Sequence, residues 1–199
     1  RRGGFAGGVY ITGSHMPYQR IGLICMLPNG HYADRDVTDV VERGLATYPA
    51  DCPPVADCSQ IGEITAAGEE EIDRAYLGTL LPHLRADHQA VRRQEPKILI
   101  DPGNGTSGAI ARALLTELGC LVDVINAEPQ PKPDRPSECK PANCGEAIAR
   151  TQEGGYTLGA CFDGDADRVR IITPEGVMLS DDVIAAILAL NTIKPGDVY

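Results

Sequence analysis

Apolar runs along this chain alternate between short strand-like stretches and longer ones at helical spacing. Gly8 to Thr12 and Gly22 to Leu27 read as strands, separated by a loop that carries Ser14. Pro28-Asn29-Gly30 is a turn. Asp36 to Ala46 has the spacing of a short helix, and Tyr48 to Glu63, with Pro49, Pro53, Pro54 and Gly62, reads as loop. Glu69 to Leu84 predicts a second helix, with Glu69, Glu70 and Glu71 at the positive end of its dipole. Residues 85 to 96 are polar and predict a domain boundary.

The second half repeats the alternation. Lys97 to Ile100 is an expected strand, Ala109 to Leu118 a helix stopped by Gly119, and Leu121 to Asn126 a strand. Glu128 to Asn143 is Pro-rich and too polar for a core element. Gly145 to Glu153 predicts a helix, and strand-like runs follow at Tyr156 to Phe162 and Val169 to Thr173. Pro174-Glu175-Gly176 closes a hairpin, and Ser180 caps a last helix reaching about Leu190, with Asp181 and Asp182 in its first turn. Alternation of this kind implies an α/β fold with a largely parallel sheet. No internal repeat is visible.

Composition narrows the class. The chain has 199 residues, 43% of them hydrophobic, which excludes global disorder and allows one or two domains. With no Trp and two Phe, the core must be mostly aliphatic. A formal net charge of -10 argues against binding nucleic acid or an anionic membrane surface. No apolar run is long enough to span a bilayer; the one from Val183 to Leu190 is far too short. The seven cysteines form no C-x-x-C pair and indicate neither a zinc site nor a disulfide framework. Cys25, Cys120 and Cys161 lie in apolar runs and are expected to pack as small hydrophobes, so a reducing, cytoplasmic setting is expected. The chain begins Arg1-Arg2 and ends as a strand-like run starts at Val198, so a piece of a longer protein is expected.

The strongest chemical signal is Asp163-Gly164-Asp165-Ala166-Asp167-Arg168, between the two late strands. Three acids alternating with small residues repel one another unless a cation sits among them, and hard divalent cations take oxygen ligands. An EF-hand is excluded, since its sixth and twelfth positions would be Arg168 and Pro174. The alternative is a solvated acidic turn. Arg168 beside a metal points to a phosphate nearby. Gly103-Asn104-Gly105-Thr106-Ser107-Gly108 matches the dinucleotide pattern G-x-G-x-x-G after a strand, but no acid ends the next strand; Asp123 falls within it and Glu128 beyond it. The competing reading is a tight strand-to-helix turn that needs Gly for steric reasons. Gly13-Ser14-His15-Met16 resembles a tag remnant, but a strand precedes it, leaving either a nucleophilic hydroxyl beside an imidazole or an ordinary turn.

Three segments together resemble the α-D-phosphohexomutases, the family of phosphomannomutase, phosphoglucomutase and phosphoglucosamine mutase. Gly8 to Pro17 is similar to their phosphoserine loop, usually T-A-S-H-N-P. Asp101 to Gly108 is similar to the opening of their second domain, and Asp163 to Arg168 to their D-G-D-[GA]-D-R metal loop. Pro141-Ala142-Asn143 also fits. The resemblance covers nearly the whole chain but only part of a four-domain protein. It implies three-layer α/β domains with mixed, largely parallel sheets: residues 1–90 as the later part of domain 1 and residues 96–199 as domain 2. The sugar-recognition loop of domain 3 and the phosphate loop of domain 4 have no counterpart here.

By that resemblance the activity is transfer of phosphate between the 1 and 6 positions of a hexose, through a phosphoserine at Ser14. One Mg²⁺ is held by Ser14's phosphate, Asp163, Asp165 and Asp167, with Arg168 against the phosphate or the carboxylates and His15 available for proton transfer. A hexose phosphate is the substrate, a hexose bisphosphate the intermediate, and the remaining mutase domains, in this or another chain, are the partners; a homo-oligomer is left open. The chain departs from the family at Gly13, which replaces Ala, at Met16, which replaces Asn, and after the serine loop, where Arg20-Ile21-Gly22-Leu23-Ile24 replaces the usual Y-N-G-x-K and Ile24 stands where an acid/base Lys is usual. Ile24 keeps open a second reading: a non-catalytic relative that retains both loops for binding or regulation.

Overall fold

The structure, a computed structural model, describes residues 4–14, 16–47, 65–66, 68–84 and 87–193. The expected loop at 48–63 and the side chain of His15 lie outside these residues. The chain divides into two compact units, one of residues 1–12 and 22–76, the other of residues 13–21 and 77–199.

In the first unit β1 (Gly8–Thr12) and β2 (Gly22–Met26) pair antiparallel, Tyr10 opposite Ile24. The turn after β2 forms at Pro28-Asn29-Gly30, where Gly30 adopts φ 84°. Asp34 accepts a hydrogen bond from Val37 N (3.2 Å) and so caps α1 (Arg35–Thr47). α2 (Glu69–Leu80) starts among the first unit's residues and ends among those of the second.

The second unit carries a four-stranded sheet in the order β4-β3-β5-β6. β3 (Lys97–Asp101) is parallel to both β4 (Leu121–Val124) and β5 (Leu158–Phe162), and β6 (Val169–Ile172) is antiparallel to β5. Side-chain alternation along the strands gives each face its own helix. Ile98, Ile100 and Ala160 pack with Ala111, Leu115 and Leu118 of α4 (Gly108–Leu118). Leu99, Cys161 and Ile172 pack with Ala147 and Ile148 of α5 (Gly145–Glu153). β3 and β5 are buried on both sides, which is why their sequences, KILID and LGACF, lack the alternation of a half-exposed strand. The expected α/β architecture with a mostly parallel sheet and flanking helices is therefore what forms.

Some boundaries differ from expectation. α2 ends at Leu80 and passes into a 3₁₀ turn, Leu81–His83, because Pro82 has no N–H to continue the α-helical ladder. The polar stretch before β3 holds a short helix, α3 (His88–Gln94), capped by Asp87, whose carboxylate accepts from Ala90 N (2.9 Å). β4 stops at Val124, since Asn126 takes a left-handed φ of 48° and turns the chain back. Ser180 caps α6 (Asp181–Thr192) as expected, accepting from Val183 N. Among the described residues no helix is long and apolar enough to cross a membrane.

Candidate active site

β5 and β6 pair up to Phe162 opposite Val169, so the acidic hexapeptide is the entire loop of a hairpin. Its backbone closes through Ala166 N to Asp163 O (3.1 Å), and Ala166 takes φ 60°, a left-handed conformation that strains any residue with a Cβ. The closure turns the carboxylates of Asp163, Asp165 and Asp167 to one side, with oxygens within 4.8 Å of one another. Asp163 is fully buried, Asp165 half-buried and Asp167 exposed.

Asp163 Oδ1 accepts from Arg168 N (3.1 Å), while its Oδ2 is buried without a hydrogen-bond partner. Burial pushes its carboxyl above the usual range. The Arg168 N–H pulls the other way, and Asp167 and Asp165 push it up further. A buried carboxylate oxygen facing two more carboxylates is the environment a hard divalent cation relieves, so the donor set fits Mg²⁺. Arg168 lies against the carboxylates, its Nε 3.7 Å from Asp167 Oδ1, and both side chains are exposed.

The sheet order explains the location. From β3 the chain crosses by α4 to β4 on one side, then returns by α5 to β5 on the other. The carboxyl ends of β3 and β5 thus form a topological switch point, where open α/β sheets bind ligands. The loop after β5 is the acidic one. The loop after β3 is Pro102 to Ser107, and Thr106 N donates to Gly164 O across the gap (3.1 Å). Its glycines are explained by packing. A Cβ at Gly105 would lie 2.5 Å from Gly164 O, and one at Gly103 (φ 58°) 2.7 Å from the Arg135 guanidinium carbon. The space a pyrophosphate would need beside these glycines is filled by protein, so the steric reading of this motif prevails over the dinucleotide one.

Beneath both loops lies a buried ion pair that the sequence reading missed. Asp101 ends β3 at 1% exposure, and Arg135, in the Pro-rich loop, is 8% exposed. Arg135 Nε donates to Asp101 Oδ2 (2.8 Å). Nη2 donates to Asp101 O (3.1 Å) and Phe162 O (2.7 Å), and Nη1 to Pro136 O (3.0 Å) and Ser137 O (3.3 Å). All five guanidinium N–H donors are used. Burial works against the charge of Arg135, but Asp101 outweighs it and holds the guanidinium above its ordinary value. Asp101 also accepts from Gly103 N and Asn126 Nδ2. An acid closing an apolar strand was the legible signal for Asp101; nothing local marked Arg135.

The same loop, expected to be too polar for a core element, forms no helix or strand but buries Cys139, which packs with Cys161 and with Cys144, the N-cap residue of α5. Cys139 Sγ donates to Ser137 O and Cys161 Sγ to Asp101 Oδ2 (both 3.9 Å), and the contact of Cys139, then Cys161, with Cys144 lowers the Cys144 thiol pKa. Cys120 and Cys161 are buried as expected, and Cys25 is half-buried.

Ser14 belongs to this second unit although its flanking strands do not. It is half-buried, with φ 47°, a left-handed conformation of the kind that clusters at functional sites. Its carbonyl accepts from Ser137 Oγ (2.9 Å), and Ser137 Oγ accepts from Gly164 N (2.8 Å). Ser14 and the acidic loop, distant in sequence, are thus brought together. Ile24 is half-buried in β2 of the first unit.

Comparison with known proteins places this arrangement. Residues 74–176 match the phosphoglucomutase/phosphomannomutase alpha/beta/alpha domain II. A phosphoglucomutase of Neisseria meningitidis serogroup A is 34% identical over 182 residues, covering 88% of this chain and 35% of that protein. A phosphomannomutase/phosphoglucomutase of Pseudomonas syringae pv. tomato is 31% identical over 192 residues, covering 94% of this chain and 37% of that protein. A crystal structure from Thermus thermophilus, assigned provisionally as a phosphomannomutase, superposes with a TM-score of 0.75 at 25% identity, over 94% of this chain and 40% of that one. The chain therefore spans well under half the length of these relatives. Sequence match, superposition and the acidic hairpin loop at the switch point agree, and the chain belongs to the phosphoglucomutase/phosphomannomutase family.

Proposed function

We propose that this chain is part of a phosphohexomutase that moves phosphate between the 1 and 6 positions of a hexose, with Ser14 as the phosphoryl carrier. The observation that carries the reading is the convergence of three carboxylates, one with a buried unpartnered oxygen, in the same unit as the left-handed Ser14. Asp163, Asp165 and Asp167, with Ser14 when phosphorylated, would hold one Mg²⁺. When bound, the ion neutralises charge on the transferring group.

In the forward half-reaction a hydroxyl of the hexose phosphate attacks the phosphorus of phosphoserine. The new P–O bond forms to the sugar oxygen, the bond to Ser14 Oγ breaks with its electron pair left on Oγ, and the proton of the sugar hydroxyl passes by way of His15, the candidate base, to that oxygen. The resulting bisphosphate turns over, and Ser14 Oγ takes its other phosphate. The exposed guanidinium of Arg168 beside Asp167 supports a role for it in meeting phosphate oxygens. Residues 1–90 are assigned to the later part of the first mutase domain and 96–199 to the second. The remaining domains supply sugar recognition, in a reducing, cytoplasmic setting.

Labelled hexose 1,6-bisphosphate tests this. The intact protein containing these residues takes label at Ser14 in a Mg²⁺-dependent way, and Ser14→Ala abolishes uptake; equal uptake by the variant overturns the assignment. Ile24, aliphatic where the family has Lys, favours a second reading: a non-catalytic relative that binds through the same loops. Robust turnover in a coupled mutase assay eliminates it.

A further inference from the structure

We infer that Ser137 is a positioning residue whose hydroxyl locks the serine loop and the metal loop together, so that cation affinity at Asp163–Asp167 and phosphoryl transfer at Ser14 depend on one another. The inference rests on the proposed function for its second half and on geometry alone for its first.

A serine hydroxyl has one proton to donate and lone pairs to accept. Ser137 spends the proton on Ser14 O at 2.9 Å and accepts Gly164 N at 2.8 Å. Both partners are backbone groups of the two loops that must cooperate, and both bonds are short enough to fix the hydroxyl rotor. Gly164 sits between two of the metal-binding aspartates, so orienting its peptide sets the plane of the acidic hairpin. Ser14 O is the carbonyl of the carrier residue itself, which is held in a left-handed conformation.

Ser137 is itself held. Its carbonyl accepts from Arg135 Nη1 (3.3 Å), and the same guanidinium bonds Phe162 O immediately before Asp163 (2.7 Å). Close approach also explains the glycine of the acidic loop. A Cβ at Gly164 would lie 3.1 Å from Ser137 Oγ, tight enough to displace that hydroxyl, and 3.7 Å from Ser14 O, an ordinary contact.

The test compares Ser137→Ala, Ser137→Cys and Ser137→Thr with the unaltered sequence in the intact protein. Three readouts are used: amide exchange at Gly164, Mn²⁺ affinity by calorimetry, and mutase kinetics. In the Ala and Cys variants Gly164 exchange accelerates about tenfold or more and Mn²⁺ binds about tenfold more weakly. Their kcat falls by a similar factor, with KM for the hexose phosphate within about twofold. Thr, which keeps the hydroxyl, recovers exchange and affinity. Cys preserves side-chain size, so it decides the matter if Ala does not fold. Unchanged Gly164 exchange and Mn²⁺ affinity in Ala or Cys overturn the inference. If the unaltered protein neither turns over hexose phosphate nor takes phosphate at Ser14, the functional reading fails, while exchange and metal affinity still decide the role of Ser137.

Discussion

Asp163 is where residue-level chemistry is most exposed to test. Its carboxyl is pushed up by burial and by its acidic neighbours, so in the metal-free protein its ionisation opposes folding. The contribution is favourable at pH values below the ordinary carboxylate pKa and is lost as pH rises through the raised one. Chemical denaturation in chelator should therefore show this term weakening toward neutral pH, and Mg²⁺ should restore stability there. Asp163→Asn replaces the repelling oxygen with a donor beside Asp167. It should raise metal-free stability by about 1 kcal/mol and remove the Mg²⁺ response. Gly105→Ala should act in the opposite sense. Its Cβ would meet backbone at Gly164 O, which cannot swing aside as a side chain can. A loss of about 1–3 kcal/mol, with weaker Mg²⁺ binding in the same titration, is expected.

At the scale of elements, the end of β3, the Pro-rich loop and the end of β5 are joined by one guanidinium. Breaking a buried ion pair by removing one partner leaves the other charged and unsolvated. Arg135→Met should therefore cost about 3–5 kcal/mol, read as a shift in denaturation midpoint; a loss below about 1 kcal/mol would mean that water replaces the guanidinium. Most elements were legible because their periodicity and punctuation are local. Gly119 at φ 97° stops α4, Ser180 caps α6, and Gly176 at φ 78° turns the last hairpin. The Pro-rich stretch is a loop, as expected, but its buried pairing could not be read from composition, for a physical reason. Its polar groups are satisfied by partners far away in sequence, as in Asp134 N to Asn104 Oδ1 and Arg135 to Asp101, and composition cannot display that pairing.

For the whole molecule, the decisive quantity is how much of a mutase these residues contain. The two curated relatives compared above are covered to between 35% and 37% of their length. On the proposed function, cleft closure and sugar recognition would need surfaces beyond the residues assigned to domains 1 and 2. The isolated 199 residues should bind Mg²⁺ yet give no sustained turnover of hexose phosphate in a coupled assay, while the intact protein gives both. Detectable turnover by the isolated chain would show that two domains suffice.

The sequence by itself determined the alternation of strand and helix, the acidic loop with a carboxylate set that could hold a cation, and the family resemblance, since each is written in contiguous residues. Only the tertiary structure decided that β3 and β5 meet at the switch point and that the glycines after β3 pack against the acidic hairpin. It alone also placed Arg135 and Ser137 beneath the two loops. Those facts depend on hydrogen bonds and close contacts between segments up to 123 positions apart, as from Ser14 to Ser137, which no local pattern encodes.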